Sequence, residues 1–80
     1  MKLSIYSLKK IVFQGTAAAV NCKTTSGEIT VLDNHRPLIS TLQSGVIKIT
    51  DKEQKDQYVP ITSGFLEVKG ENEVRFLVEQ

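Results

Sequence analysis

The sequence is poor in the residues that most often build catalytic and metal sites. It contains one cysteine, Cys22, and one histidine, His35. A single cysteine excludes an internal disulfide and any site built from a cysteine pair, and a lone thiol is typical of a reducing compartment. A protein metal site needs several ligands of this kind, and the sequence has no second histidine or paired cysteine to supply them. We therefore expect neither a bound metal nor a cofactor.

Long hydrophobic runs and an excess of charge of one sign are also absent. Residues 1–10 contain no apolar stretch of the length that a signal peptide or a membrane span requires. Ten Lys and Arg against nine Asp and Glu give a net charge of +1, whereas nucleic-acid-binding domains usually carry a clear basic excess. We expect no nucleic-acid partner and no direct membrane insertion. The chain is expected to stay in the cytosol or an equivalent space and to contact a membrane only through another protein.

What the sequence does contain is a series of short apolar segments separated by turn residues. In Gly27–Leu32, Ile29 and Val31 share one face while Glu28 and Thr30 share the other, which is the period-two pattern of a half-buried strand. Similar short segments recur along the chain: Leu3–Leu8, Ile11–Phe13, Thr16–Cys22, Val46–Thr50, Gln57–Thr62, Phe65–Lys69 and Val74–Val78. No segment has the ten or more helix-periodic residues of an amphipathic helix. We predict one all-β domain over residues 1–80, a flattened antiparallel β-sandwich or barrel of short strands.

Three further expectations refine this prediction. The apolar residues of Leu38–Leu42 are spaced as i, i+1 and i+4, which favours one helical turn or an irregular loop. Pro60 has no N–H to donate to a sheet, so it belongs at an edge strand or a bulge. The alternation predicts a core formed largely by Ile5, Val20, Val31, Ile47, Ile49, Phe65, Leu66, Val68, Phe76 and Val78.

His35 is the first candidate for catalysis because it is the only histidine and Asp33 lies two residues before it. A general base also needs a nucleophile or a substrate held in place, and the sequence indicates no such arrangement. Cys22 lies in a strand pattern that predicts a buried thiol, and the outward strand positions of Glu28 and Glu67 predict solvated carboxylates. The glycines match no phosphate-binding spacing. We interpret His35 as a structural or interface residue of the corner that it forms with Pro37.

One alternative from another functional class stays open. Thr50-Asp51-Lys52 lies at a predicted hairpin tip, in a chain of about the length of a lipoyl or biotinyl carrier domain. Those domains are also flattened barrels, and they present a modifiable lysine in such a turn. Against this alternative, Glu53 stands where a small residue usually follows the lysine. The charged turn is explained more simply as a solvated hairpin tip.

Five blocks of sequence follow one another along the chain: Leu3–Ser7, Val12–Gly15, Gly27–Leu38 with its His-x-Pro corner, Gly45–Ile49 and Ser63–Val68. In their order and spacing they resemble the N-terminal β-domain of the epsilon subunit of F-type ATP synthases. The resemblance implies one epsilon-type β-sandwich domain over residues 1–80 that is not an enzyme. It implies a rotor subunit of the central stalk that links the gamma subunit to the c-ring, and so supports the coupling of proton or sodium transport to ATP synthesis.

The same resemblance implies which residues meet each partner. The residues expected to face the gamma subunit are Ser7, His35, Arg36, Pro37 and Ser40. The residues expected to face the polar loops of the c-ring are Thr24, Thr25, Ser26, Gly27 and Glu28. The location that the resemblance implies is the cytoplasmic face of a bacterial inner membrane, or of another energy-transducing membrane, with attachment through the complex.

The chain departs from the family pattern at three points. Ser26 stands where an acidic residue is frequent before the Gly-Glu pair, and Cys22 stands where a branched apolar residue is usual. Most family members continue beyond the position of Gln80 into a helical hairpin that can inhibit ATP hydrolysis. We expect residues 1–80 to support coupling without strong inhibition, whether they are a naturally short subunit or one domain of a longer one.

Overall fold

The computed structural model describes residues 1–80 and consists of nine β-strands joined by short turns. The strands are β1 (Lys2–Tyr6), β2 (Ile11–Thr16), β3 (Ala19–Thr24), β4 (Gly27–Leu32), β5 (Leu38–Leu42), β6 (Gly45–Thr50), β7 (Asp56–Ile61), β8 (Ser63–Lys69) and β9 (Glu73–Glu79). It contains no helix of the length and apolarity needed to cross a bilayer. The predicted all-β fold of short strands is confirmed.

The strands form one continuous sheet that folds over on itself into two layers. One layer, the front sheet, has the order β2-β1-β9-β8-β5, and the other, the back sheet, has the order β4-β3-β6-β7. The layers join where Thr24 of β3 pairs with Leu42 of β5. Neighbouring strands are antiparallel except for β1 and β9, which run parallel, with Leu3 opposite Val74.

The strand registers define two ends of the sandwich. At one end, the corner end, Leu38 pairs with Val68 and the chain passes from β4 to β5 through residues 33–37. At the other, the loop end, Leu42 pairs with Gly64, and the β3–β4 turn lies beside β5 through the bond from the Thr25 N–H to the Thr41 carbonyl (3.0 Å). Four residues of strand, at about 3.3 Å each, separate these ends by roughly 13 Å along β5.

The core consists of 17 buried hydrophobic side chains contributed by both layers. Nine of the ten predicted core residues are buried, and Ile5, Val20, Val31, Ile47, Leu66 and Phe76 are completely inaccessible. The prediction was wrong for Phe65, which is 57% exposed. Consecutive strand residues point to opposite faces, so burial of Leu66 requires Phe65 to face outward.

The prediction for Leu38–Leu42 was also wrong, because this segment is strand β5 and not a helical turn or loop. All five of its residues pair with β8, from Leu38 opposite Val68 to Leu42 opposite Gly64. Half-buried Leu38 and buried Leu42 point inward, whereas Ile39 is 76% exposed and points outward. The i, i+1, i+4 spacing arose because one apolar residue of the strand lies on the outer face, where no core requires it.

Two local backbone features position the loops. Gly27 has a φ of 123°, which side-chain-bearing residues rarely adopt, and it closes the two-residue turn between β3 and β4. A Cβ at Gly64 would lie 2.6 Å from the Leu77 carbonyl oxygen, so β8 and β9 approach closely at this point only because the residue is glycine. Pro60 lies in β7, which pairs only with β6, and its predicted edge position is confirmed.

Candidate functional site

The corner formed by His35, Arg36 and Pro37 connects β4 to β5 and is fully exposed to solvent. Its conformation is set locally: the His35 N–H donates to the Leu32 carbonyl (3.3 Å), and the His35 Nδ1 donates to the Arg36 carbonyl (2.7 Å). Arg36 takes part in none of the four ion pairs of the molecule. Its guanidinium, a planar and permanently charged donor, is therefore free to bind a carboxylate or carbonyl of a partner.

Asp33, just before the corner, organises the corner end electrostatically. Its Oδ1 accepts from the Met1 α-ammonium group at 2.6 Å and from the Asn72 side chain at 3.3 Å. The hydrogen bond from the α-ammonium group lowers the pKa of Asp33, and the bond from Asn72 and the charge of the ammonium group lower it further. Asp33 is engaged with these groups and not with His35, so the two do not form a catalytic pair.

Ser7 directly follows β1 and holds a tight turn. Its backbone N–H donates to the Lys10 carbonyl (2.9 Å), and its Oγ accepts from the N–H groups of Lys9 (3.3 Å) and Lys10 (3.2 Å). This turn projects Leu8 into solvent, where it is 90% exposed. Ser7 therefore lies at the loop end of the front sheet, opposite the end that carries the corner.

Ser40, the fifth residue expected to face the gamma subunit, lies at the middle of β5. It shares its inward-facing parity with Leu38 and Leu42 and is half-buried, and it pairs in register with buried Leu66. The outward positions of β5 are its neighbours Ile39 and Thr41. The structure thus brings Ser7, Ser40 and the corner onto one sheet, but it does not place the Ser40 side chain on the outer face of that sheet.

The segment Thr24–Glu28, expected to face the c-ring, forms a compact turn at the loop end. Thr24 is 3% exposed, and its Oγ1 donates to the Gly27 carbonyl (2.7 Å) and accepts from the Ser26 N–H (3.1 Å). Thr25, Ser26, Gly27 and Glu28 are exposed. Thr24 therefore shapes the turn, and the other four residues supply its surface.

Sequence reasoning missed a group of adjoining exposed apolar side chains on the surface, which we call the apolar strip: Leu8, Ile39, Phe65 and Leu77. Phe65 and Leu77 are direct cross-strand partners on β8 and β9. A shallow groove lined by Phe65, Leu77 and Leu8 adjoins a second groove lined by Phe65, Leu77 and Ile39. The strip crosses the outer face of the front sheet, from the Ser7 turn toward the corner. Phe65 and Leu77 are the direct neighbours of buried Leu66 and Phe76, so strict alternation along β8 and β9 would have assigned both to the outer face.

The outer face of the back sheet has a different character. Leu32 on β4 and Tyr58 on β7 are separated by β3 and β6, whose outward residues Asn21 and Lys48 are polar, and exposed Val46 of β6 lies opposite Pro60. Asn21 donates to Glu28 (3.1 Å) and to Thr30 (2.9 Å) across this face, and Lys48 lies 3.7 Å from Asp56. These groups satisfy one another, so this face is a solvated surface.

The remaining chemical groups do not converge on a reaction site. Burial raises the pKa of the Cys22 thiol to about 11, which keeps it protonated and unreactive at neutral pH. No cluster of three or more His, Cys, Asp or Glu side chains could hold a metal ion. Lys52 lies in the turn between β6 and β7, beyond Thr50 and Asp56.

Comparison with known proteins decides the family. The protein-family model for the β-sandwich domain of the ATP synthase delta/epsilon chain matches residues 1–80. The chain belongs to this family. Its resemblance to epsilon subunits and its β-sandwich fold are therefore confirmed.

Two solved structures share the fold of this epsilon-type domain. One is the mitochondrial ATP synthase of Euglena gracilis (OSCP, F1 and c-ring, rotational state 1), with 22% identity, a TM-score of 0.94, and coverage of 100% of this chain and 51% of that chain. The other is the central stalk and c-ring of the Tetrahymena thermophila mitochondrial ATP synthase, with 15% identity, a TM-score of 0.84, and coverage of 100% and 63%. The epsilon-type domain thus spans between half and two thirds of the chains it matches.

The family is one of accessory stalk subunits and not of catalytic ones, so the interpretation of the chain as a non-catalytic subunit domain is confirmed. Nothing supports the carrier-domain alternative at Lys52. The residues assigned to each partner stay predictions.

Proposed function

We propose that this epsilon-type domain acts in the rotor of an ATP synthase, where it ties the gamma subunit to the c-ring. The outer face of the front sheet docks on gamma, and the Thr24–Glu28 turn rests on the polar loops of the c-ring. In this position the domain supports the coupling of proton or sodium transport to ATP synthesis. The corresponding location is the cytoplasmic face of a bacterial inner membrane, or of another energy-transducing membrane, with attachment through the complex.

The observation that carries the gamma-docking proposal is the difference between the two outer faces. The apolar strip is contiguous, and its most exposed members, Leu8 and Ile39, are 90% and 76% accessible. Exposed apolar side chains that adjoin one another and are rimmed by polar groups are typical of a protein interface. The strip also lies between Ser7 and the corner, both of which the family resemblance assigns to gamma. A single partner lying along the front sheet would contact all of them.

The turn Thr24–Glu28 is suited to a polar partner because its exposed residues are hydroxyl, glycine and carboxylate groups. The bonds made by Thr24 hold it in one conformation, which lowers the conformational entropy lost on binding. It lies at the end of the sandwich, whereas the apolar strip lies on its face. The two partners can therefore bind at the same time, as a link in a rotor requires.

The docking surface can be tested by calorimetric titration of purified gamma subunit. We expect Phe65→Ser with Leu77→Ser to weaken binding by about 2 kcal/mol or more, because the anchors at the centre of an interface contribute most of its affinity. The matched control is Leu32→Ser with Tyr58→Ser, which removes side chains that are 57% and 62% exposed on the opposite face. Equal losses in both double variants would move the interface away from the front sheet.

The c-ring contact can be tested by cross-linking in the assembled enzyme. Because Cys22 is buried and its pKa is raised to about 11, a new surface thiol would react selectively. We expect Ser26→Cys to cross-link to the c-ring. Lys52→Cys, in the β6–β7 turn at the corner end, is the control and should not. Cross-linking from position 52 alone would reverse the proposed orientation of the domain.

A further inference from the structure

The corner is exposed, yet the side chain of Asn72 fastens the start of the β4–β5 connection to the opposite layer, beside the ion pair of Asp33 with Met1. The Oδ1 of Asn72 accepts from the Asn34 N–H at 2.8 Å, and its Nδ2 donates to Asp33 Oδ1 at 3.3 Å. The Asn72 carbonyl accepts from the Lys2 N–H at 2.9 Å. Asn72 lies in the turn between β8 and β9 of the front sheet, whereas Asp33 and Asn34 directly follow β4 of the back sheet. Asn72 therefore links the two layers at the corner end.

The backbone at both ends of this link is in an unusual conformation. Asn34 has a φ of 60° and Asn72 a φ of 58°, and both are in the left-handed region, which asparagine tolerates better than most residues. The other hydrogen bonds of residues 34–37 are made within the β4–β5 connection itself. Without Asn72, the Asn34 N–H would lose its partner. Asp33 would still be held by the Met1 α-ammonium group, but the direction in which His35 and Arg36 leave the sheet beyond Asn34 would be set by local bonds.

We propose that Asn72 is a positioning residue for partner binding: it touches no partner itself but holds the corner in the conformation that docks on gamma. The inference rests on the proposed function, and it adds a residue that no motif of the sequence indicates. A loop that is already ordered loses less entropy on binding. If the corner has the binding-competent conformation in only a fraction of the free molecules, the apparent association constant is that fraction of its intrinsic value.

The test uses Asn72→Gly, which removes the amide and still accommodates a positive φ. The matched control is Glu71→Gly at the preceding residue, which has a φ of 64° and an exposed side chain. In surface-plasmon-resonance measurements on gamma, we expect Asn72→Gly to lower the association rate constant about three- to tenfold and to leave the dissociation rate constant unchanged, because the bound corner is the same. Glu71→Gly should leave both constants as they are.

A second measurement separates positioning from loss of fold. In the free chain we expect Asn72→Gly to accelerate hydrogen exchange at the Asn34 amide, while amides of the core strands keep their protection. Asn72→Asp retains an acceptor for the Asn34 N–H, but it places a second carboxylate against Asp33 Oδ1. Like-charge repulsion then adds to the loss of the donor, so its association rate should fall at least as much as that of Asn72→Gly. Thermal melting of each variant reports whether it is folded. A folded Asn72→Gly with unchanged association would overturn the inference.

A double-mutant cycle distinguishes this inference from the proposed function. His35→Ala with Arg36→Ala should raise the dissociation constant about tenfold or more if the corner docks on gamma. Adding Asn72→Gly to that variant should then change nothing, because there is no contact left to position. An independent, additive loss would show that Asn72 acts elsewhere, with corner docking intact. If His35→Ala with Arg36→Ala binds normally, the corner is outside the interface and the positioning role is overturned, while the Phe65 and Leu77 variants still test docking itself.

Discussion

At the scale of single residues, Asp33 is the charged group that joins the start of the chain to the corner end. Its carboxylate accepts from the Met1 α-ammonium group and from Asn72, and its pKa is lowered chiefly by the first of these bonds. The side chain is 53% exposed, so solvent screens much of the interaction. Because its pKa is lowered in the folded state, its contribution to stability depends on pH.

Because the folded-state pKa of Asp33 lies below its unfolded value of about 3.9, its contribution is fully present above that value. The contribution is lost as the pH falls through the lower pKa of the folded state. We expect Asp33→Asn to lower the melting temperature at pH 7, and the difference from the parent chain to shrink toward zero as the pH falls through the lowered pKa of Asp33. Calorimetric melting between pH 2 and pH 7 measures this.

Glu71→Gln is the control for this experiment, since it removes one negative charge from an exposed residue of the neighbouring turn. The melting temperature of Glu71→Gln relative to that of the parent chain should be almost the same at neutral and at acidic pH. If the melting temperature of Asp33→Asn differed from that of the parent by the same amount at every pH, the ionised carboxylate would not stabilise the fold.

At the scale of strands, β9 gives the clearest test of the inside and outside assignments. Phe76 is inaccessible, whereas Leu77, the next residue, is 48% exposed. We expect Phe76→Ala to lower the free energy of unfolding by about 3 to 5 kcal/mol, because it leaves a cavity between the layers. Leu77→Ala should cost less than about 1 kcal/mol. Urea denaturation of the two variants measures the difference, and similar midpoints would indicate a register shifted by one residue.

Strand periodicity also explains how much could be predicted from the sequence. Alternation located most of the strands, and it identified core residues such as Val31 and Ile47 because one face of each strand must be buried. It failed at Phe65 and in Leu38–Leu42, because an apolar side chain on the outer face interrupts the apolar–polar alternation there. Both failures fall on the apolar strip. This is the surface that we propose docks on gamma, and a binding surface need not follow the alternation that solubility alone imposes.

The candidate site was predictable only in part, for a related reason. The corner and the Thr24–Glu28 turn consist of local sequence, and their place was apparent from the family resemblance. The role of Asn72 was not, because its partners lie 38 and 39 positions away in the chain, and only the packing of the two layers brings them together. Ser40 shows the same limit, since its inward direction depends on pairing with β8.

At the scale of the whole molecule, the proposed function uses three regions: a face, a corner and an end. The front sheet presents apolar side chains that nothing in the chain covers, while polar groups on the back sheet bond to one another. Gamma and the c-ring are thus assigned to different regions of one small rigid body. In the proposed position within a rotating stalk, the domain would have to transmit torque without deforming. A closed core of 17 side chains shared by both layers resists such deformation.

The parallel pairing of β1 with β9 places the first and last strands of the domain side by side in the middle of the front sheet. At translation rates of about 5 to 20 residues per second, roughly 4 to 14 seconds pass between the synthesis of Leu3 and that of Val74. Throughout that interval β1 has an open edge, and the surface that carries Phe65 lacks its neighbour Leu77. A nascent chain therefore has no complete apolar strip before β9 has been made. If the front sheet docks on gamma as proposed, docking has to wait for this strand.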